Sequence, residues 1–95
     1  MEKQKFIVRC DRTGVFYGEI EERNGREVKM RNVRCLWYWD GAASLLQLAA
    51  AGVTNPGNCK FTMTIDSLEV LDAIEIIPCT AEAIESIEGV KEWKR

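Results

Sequence analysis

The first third of the chain alternates apolar and polar side chains with the period of two that is typical of a β-strand. In the opening stretch, Phe6, Val8 and Cys10 share one face of the predicted strand. The turn after this strand ends in Gly14, and a second turn contains Gly25. This arrangement predicts a three-stranded antiparallel meander at the N-terminal end of the domain.

The register of the first hairpin follows from the apolar face that has to be buried. A three-residue loop with a glycine bulge sets Cys10 against Phe16 and Val8 against Gly18. The members of both pairs are apolar or small, so one face of the hairpin stays continuous. We therefore expect this register.

The second hairpin has two alternative registers. A two-residue turn at Asn24-Gly25 sets Ile20 against Lys29, which mixes apolar and charged partners on one face. A three-residue loop with Gly25 at positive φ sets Ile20 against Val28 instead. Because this second register keeps the apolar face continuous, we predict it, together with a positive φ at Gly25.

The apolar positions change phase in the third strand. Val28 and Met30 are even-numbered, whereas Val33 and the apolar residues after it are odd-numbered. A β-bulge at residues 31–32 absorbs a slip of one residue. It also predicts that Val33 lies opposite Phe16.

A helix is predicted over residues 41–51, with Asp40 as its N-cap and Gly52 at its end. Its buried stripe is expected to contain Ala42, Leu45, Leu46 and Ala49. The sheet face that this helix is expected to cover carries Phe6, Val8, Phe16 and Ile20.

The second half of the chain predicts two more strands. Alternating apolar residues indicate strands over residues 61–65 and 68–77, with a turn or kink at Asp66-Ser67 between them. Before the first of these strands, residues 55–58 read Asn-Pro-Gly-Asn, which is typical of a type II turn.

A short C-terminal helix is predicted over residues 81–88, because Thr80 is a good N-cap and Gly89 a good end. The whole chain, residues 1–95, is expected to form a single domain of α+β class. Its antiparallel sheet would have about five strands, beginning with the N-terminal three-stranded meander, and one main helix would accompany the short C-terminal one.

The composition is that of one folded globular domain of 95 residues, with 46% hydrophobic and 29% charged residues. The sequence contains no histidine, which excludes Ser-His-Asp and Cys-His catalysis and every metal site that needs histidine. The cysteines, Cys10, Cys35, Cys59 and Cys79, form no Cys-x-x-Cys pair, and we interpret them as small buried apolar groups. We expect a protein with no enzymatic activity, no cofactor and no metal.

The net charge of −2 is unevenly distributed. Residues 1–34 carry nine Lys and Arg against six Asp and Glu, a balance of +3, and residues 35–95 carry four against nine, a balance of −5. This acidity argues against binding to duplex nucleic acid. The N-terminal residues lack the apolar stretch of a signal peptide, and no segment is apolar enough to span a bilayer, so we expect a cytoplasmic protein without membrane contact.

Nineteen consecutive residues, 41–59, carry no charge. A solvated helix face normally carries Lys and Glu, so this segment is expected to be covered. We predict a homo-oligomer whose interface includes the segment, with Trp93 in the charged tail as a second contact. The alternative is that the segment is buried within one subunit.

Three consecutive aromatic residues, 37–39, lead into the predicted helix. Aromatic rings can stack on a nucleotide base, and the free N–H groups at a helix start attract an anion. Two arginines just upstream would supply phosphate contacts. The candidate nucleotide site comprises Trp37, Tyr38, Trp39, Ser44, Arg31 and Arg34. The alternative interpretation places Trp37 and Trp39 in the core, with Asp40 serving only as a cap.

The segment Trp-Tyr-Trp-Asp-Gly-Ala at residues 37–42, together with stretches at 47–49, 58–62 and 75–80, resembles a family of short phage and prophage proteins of unknown function. The resemblance extends over most of the chain and brings no catalytic residues. It implies a bacterial cytoplasm and an accessory role for a phage.

Small non-enzymatic phage proteins of this size often neutralise host defence. By this analogy, the leading hypothesis is a homo-oligomer that binds and sequesters a small nucleotide signal. The alternatives are a protein-binding inhibitor of a host factor and a structural or single-stranded nucleic-acid-binding component of the phage.

Overall fold

A computed structural model of the chain describes residues 4–94. The strands in this part of the chain are β1 (Phe6–Cys10), β2 (Val15–Asn24), β3 (Glu27–Tyr38), β4 (Lys60–Phe61), β5 (Ile65–Val70) and β6 (Ala73–Pro78). The helices are α1 (Leu45–Ala51) and α2 (Ala81–Glu88), with a 3-10 turn at Pro56–Asn58. The predicted α+β class, the antiparallel sheet and the N-terminal meander are confirmed.

The sheet is strongly curled. Its strands follow the order β4-β3-β2-β1-β6, and β5 pairs with β3 along the same edge as β4. Residues 71–72 take the chain from β5 on one side of the sheet to β6 on the other. There the Ala73 N–H donates to the Arg26 carbonyl at 3.0 Å, so the tip of the β2–β3 hairpin reaches the start of β6.

Curling gives the sheet one apolar core on each face. The core enclosed by strands contains Val8, Cys10, Val28, Met30, Val33, Val70 and Ala73, with Phe6, Phe16 and Ile20 packed against it. The core beneath the helices contains Ile7, Tyr17, Leu36, Leu48, Phe61, Ala83 and Ile87 among others. The prediction that α1 covers the Phe6 face was wrong, because residues of β3, β5 and β6 already cover that face.

The first hairpin is shifted by two residues from the predicted register. Val8 pairs with Phe16 and Phe6 pairs with Gly18, so the prediction that Cys10 lies opposite Phe16 was wrong. A shift of two residues leaves every side chain on its own face, which is why the apolar face stays continuous.

The loop 11–14 is longer than predicted because it is anchored from outside the hairpin. The Asp72 carboxylate accepts hydrogen bonds from the Arg12 backbone N–H at 2.8 Å and from the Thr13 hydroxyl at 2.7 Å. Asp72 lies on the β5–β6 link, more than fifty residues away in sequence. The pattern of the hairpin itself contains no signal for this contact.

The second hairpin turns at residues 25–26, and φ at Gly25 is 63°, which confirms the predicted positive φ. Both of the registers considered from the sequence were wrong. Ile20 pairs with Met30 and not with Val28 or Lys29. The two-residue turn lies at residues 25–26, one residue later than the Asn24-Gly25 turn, and a bulge in β2 reverses part of the resulting shift.

The bulge predicted in β3 is confirmed at Asn32, which has a φ of 49°. It lies opposite Gly18, where a Cβ atom would approach the backbone of β3 to 3.0 Å. The pairing of Val33 with Phe16 was wrong. The bulge slips the register by one residue, as predicted, but Ile20 already pairs two residues beyond Val28, so Cys35 lies opposite Phe16.

Helix α1 is shorter than predicted. It begins at Leu45 and is capped by Ser44, whose hydroxyl accepts a hydrogen bond from the Gln47 N–H at 3.1 Å. The prediction of Asp40 as N-cap was wrong, because its carboxylate instead accepts hydrogen bonds at 2.8 and 2.7 Å from two asparagines of the loop 54–58.

The buried side of α1 also differs from the prediction. Leu46 was expected in the core and is 64% exposed, whereas Leu48 and Ala49 are buried. This follows from the later start of the helix and from its packing against α2 as well as the sheet.

The second half of the chain has the predicted kinds of element with different boundaries. Residues 62–64 leave the strand, residues 66–67 lie inside β5 where a turn was predicted, and the break falls at residues 71–72. Pro56–Asn58 forms a 3-10 turn, so the predicted type II turn was wrong. A type II turn requires a positive φ at Gly57, and Gly57 does not have one.

Helix α2 has the predicted bounds. The Thr80 hydroxyl caps it by accepting a hydrogen bond from the Ala83 N–H at 3.1 Å, and Gly89 ends it. Within residues 4–94, neither helix is long and apolar enough to cross a membrane.

Candidate functional site

The end of β3 carries two exposed aromatic side chains, Trp37 (61% exposed) and Tyr38 (46% exposed). The Trp37 ring stacks on Trp93, with 5.1 Å between the ring centroids and 25° between the planes. The Lys60 ammonium lies 5.5 Å from the centroid of the Trp37 ring and 5.6 Å from that of Trp93. We call Trp37, Lys60 and Trp93 the aromatic row.

Three separate segments bring the aromatic row together. On one side, β4 pairs with the end of β3, where a register shift surrounds Trp37. On the other side of β4, Glu92 forms a parallel bridge with Phe61, and the Trp93 N–H donates to the Phe61 carbonyl at 2.7 Å. Phe61 is buried, so its neighbour Lys60 points away from the helices, toward the two indole rings.

The chemistry of the aromatic row combines flat apolar surface with positive charge. An ammonium near an indole face is attracted by the ring quadrupole, which holds Lys60 close to both rings. Lys94 lies next to Trp93 and pairs with Glu92 at 3.3 Å. A ligand with a planar ring and an anionic group fits such a surface.

Arg34, which the sequence offered as a phosphate contact, is only 6% exposed. Its guanidinium donates to four backbone carbonyls, those of Phe61, Thr62, Ile87 and Val90, at 2.9–3.2 Å. Burial lowers the pKa of Arg34, although neighbouring acidic groups oppose the shift. Arg34 therefore connects β3 to β4 and to the end of α2 through these hydrogen bonds.

The remaining predicted site residues lie apart from the aromatic row. Trp39 is half-buried against the core beneath the helices, and Ser44 caps α1. Arg31 forms an ion pair with Glu21 beside an open groove of about 820 Å³. Of the six residues, only Trp37 belongs to the aromatic row, and Tyr38 is exposed next to it in sequence and pairs with Lys60 of β4.

Lys60 and Trp93 were not predicted as site residues. The alternation with Phe61 indicates that Lys60 faces outward, and the isolated indole in a charged tail indicates that Trp93 needs a neighbour. Trp93, predicted as a second contact of the oligomer interface, stacks on Trp37 of its own chain, and its contact with a second subunit stays a prediction.

A polar cluster lies at the end of α2, around Glu88. The Tyr17 hydroxyl donates to the Glu88 carboxylate at 2.7 Å, and Lys5 Nζ donates to it at 3.0 Å while pairing with Glu19 at 3.4 Å. Burial raises the pKa of Glu88, but the hydrogen bonds from Tyr17 and Lys5 together lower it by more. The pKa of Glu88 therefore lies below its usual value. Burial and the Glu88 contact both raise the pKa of Tyr17.

The cysteines have free thiols, and Cys10, Cys59 and Cys79 are buried as predicted, whereas Cys35 is half-buried. Burial raises the pKa of Cys79 to about 11. Within residues 4–94, no group of three His, Cys, Asp or Glu side chains lies close enough to hold a metal ion.

Comparison with known proteins identifies a family and nothing finer. Neither the curated proteins nor the solved structures contain a match. One family model matches residues 3–87, which include Trp37, Tyr38 and Lys60 and stop short of Trp93. The chain therefore belongs to the family described as a domain of unknown function, DUF6948.

Proposed function

We propose that this protein is a non-enzymatic binding protein that takes a small nucleotide at the aromatic row. One observation carries the proposal: Trp37 is a large apolar side chain that remains 61% exposed although it is already stacked on a second indole, with an ammonium beside both rings. A nucleotide offers a flat base for the indole and a phosphate for the ammonium.

Each residue of the aromatic row has a distinct part in this proposal. The open side of Trp37 stacks on the base, and Trp93 supports the ring from behind. Lys60 neutralises the phosphate, and Tyr38 borders the same surface. Arg34 acts as a positioning residue, because it holds the carbonyls of Phe61 and Val90 in the segments that carry Lys60 and Trp93.

The biological role belongs to the same proposal. In the phage setting that the resemblance implies, a protein that binds a nucleotide without converting it would sequester a signal of host defence in the bacterial cytoplasm. The sequence has no histidine, and the aromatic row contains no nucleophile paired with a base, which favours binding over turnover.

Self-association through the outer face of α1 is the second part of the proposal. Leu46 is 64% exposed, and Ala43, Ala50 and Ala51 are exposed beside it in a segment without charge. A surface of small uncharged side chains can pack closely against its own copy across a two-fold axis. Such an interface would leave the aromatic row of each copy open to ligand.

The test is a titration with cyclic dinucleotides and mononucleotides, followed by tryptophan fluorescence and thermal unfolding. We expect saturable quenching and a stabilisation of about 2.7 kcal/mol at a ligand concentration 100 times its Kd. Trp37→Ala and Lys60→Ala should abolish the response. Lys94→Ala, which removes a nearby exposed ammonium already paired with Glu92, is the matched control and should retain it.

Two results would overturn the nucleotide assignment. One is the absence of any fluorescence or thermal response across the nucleotides. The other is a response that survives both Trp37→Ala and Lys60→Ala. Capture of a host protein, or a salt-dependent shift of a single-stranded oligonucleotide, in place of the nucleotide response would favour the alternative functions instead.

A further inference from the structure

A groove of about 700 Å³ follows the outer edge of β6. Its two walls are residues 73–76 of β6 and the hairpin tip with Arg23, Gly25 and Arg26. Neighbouring side chains of a strand point to opposite faces, so four consecutive residues along one wall indicate that the groove follows the backbone edge. Within the described residues, β6 is the last strand of the sheet and pairs with β1 on its other side.

The ladder between β1 and β6 shows which backbone groups face the groove. The Cys79 N–H donates to the Lys5 carbonyl at 2.9 Å, and the same register continues to Glu75. In an antiparallel pair, the N–H and C=O groups of successive residues alternate between the partner strand and the other edge. Ile77 and Glu75 therefore bond to β1, and Ile76 directs its N–H and C=O into the groove.

The hairpin wall of the groove is positively charged. Arg23 Nε donates to the Gly25 carbonyl at 3.0 Å, and Arg26 Nε donates to the Ala73 carbonyl at 3.4 Å. In the part of the chain that the structure describes, neither arginine forms an ion pair with a carboxylate. Glu75, the acidic side chain of the opposite wall, is already paired with Arg9 at 3.0 Å.

We propose that this groove binds an acidic segment of a partner protein in extended conformation, added as a strand to the free edge of β6. The main-chain groups of Ile76 supply the strand hydrogen bonds, and Arg23 and Arg26 select carboxylates on the side of the hairpin. Ala73 is already bonded to Arg26, so the free edge is residues 74–76, about 10 Å or the length of three extended residues. This surface is separate from the aromatic row and does not depend on nucleotide binding.

A second copy of this chain fits the groove less well. Its own β6, residues 73–78, carries a single carboxylate, that of Glu75, and Arg9 already neutralises it. Pairing two β6 strands would therefore leave Arg23 and Arg26 without a counter-charge. The charge of the groove favours an acidic partner over a symmetric β6 dimer.

The experiment uses a fluorescein-labelled peptide, Glu-Val-Glu-Val-Glu, titrated with the full chain and followed by fluorescence anisotropy. We expect saturable binding that weakens with added salt and is absent for Lys-Val-Lys-Val-Lys. N-methylation of the peptide distinguishes strand addition from simple charge attraction. Methylating the amides of one parity should weaken binding about tenfold or more, and methylating those of the other parity should leave it unchanged.

Protein variants test the charged wall. Arg23→Gln combined with Arg26→Gln should weaken peptide binding about tenfold, while Arg12→Gln, an exposed arginine in the loop 11–14, should leave it unchanged. Circular dichroism of each variant checks that the fold is retained.

Three results would overturn the proposal: no binding of the acidic peptide, equal loss of affinity for N-methylation of either parity, or equal weakening by Arg12→Gln and by the double variant. Sedimentation that finds a dimer of this chain from which the peptide is excluded would assign the edge to a second copy and overturn it as well.

Discussion

Replacing Arg34 with alanine tests how the aromatic row is supported. The guanidinium donates to the Thr62 carbonyl at 2.9 Å, to Val90 at 3.0 Å, to Ile87 at 3.1 Å and to Phe61 at 3.2 Å. The substitution removes all four hydrogen bonds and leaves the carbonyls without these donors. It also removes a positive charge from the C-terminal end of α2, where the helix dipole favours one.

The magnitude follows from these contacts. Each hydrogen bond contributes about 1 kcal/mol net, and the freed carbonyls add a further penalty where they remain buried. Ordering the Arg34 side chain costs the wild-type protein about 2 kcal/mol of rotamer entropy on folding. Alanine avoids this cost, which offsets part of the loss. We expect Arg34→Ala to lower the free energy of unfolding by about 3 kcal/mol, a large share of the 5–15 kcal/mol typical of a domain.

Urea unfolding followed by circular dichroism measures this loss, provided that the m-value stays constant. Arg31→Ala is the matched control: it lies on the same strand, is exposed and forms an ion pair with Glu21, so it should cost less than about 1 kcal/mol. Arg34→Lys should fall between the two, because one ammonium cannot reach carbonyls on both β4 and α2. An Arg34→Ala loss no larger than that of Arg31→Ala would refute the reasoning.

Three further predictions follow from single positions. Gly25→Ala should cost about 1–2 kcal/mol in urea unfolding, since φ is 63°, whereas Gly57→Ala, also in open space but without a positive φ, should be near neutral; equal costs would contradict the strain argument. The pKa of Glu88 is lowered on folding, so its stabilisation is fully present above the unfolded pKa of about 4.3 and is lost as the pH falls below it; Glu88→Gln should make thermal stability fall less steeply below that pH, and an unchanged slope would count against this. Ala43→Glu or Ala51→Arg should yield monomers that remain folded by light scattering and circular dichroism, and a wild-type mass of about 11 kDa would remove the oligomer.

Elements defined by local chemistry could be predicted from the sequence. Helix α2 has its predicted bounds because Thr80 and Gly89 act within one helical turn of the residues they cap. The positive φ of Gly25 and the bulge at Asn32 also follow from nearby residues, since an apolar face that changes phase requires an extra residue where it changes.

Elements defined by distant contacts could not be predicted in this way. The register of the first hairpin depends on Asp72 holding the loop 11–14, and the late start of α1 depends on Asp40 being engaged by the loop 54–58. Which face the helices cover depends on the curling of the sheet, which brings the start of β6 to the tip of a distant hairpin. Alternation along one strand reports which residues share a face and not what covers that face.

The candidate site shows the same limit at the level of single side chains. Trp37 and Trp39 have the same parity, and in a regular strand both would lie on one face. The register shift beside Trp37 and the end of β3 at Tyr38 separate them, so Trp37 lies exposed beside β4 and Trp39 packs under the helices. The aromatic segment 37–39 therefore supplies only part of the proposed binding surface.

The rest of that surface comes from residues with no motif of their own. Lys60 and Trp93 reach Trp37 only because β4 is held between β3 and the C-terminal residues, and the buried guanidinium of Arg34 bonds to carbonyls on both sides of that junction. A loss of nucleotide response in Arg34→Ala would therefore reflect displacement of Lys60 and Trp93. A variant that abolished the response without lowering stability, as Lys60→Ala should, would instead identify direct contact with the ligand.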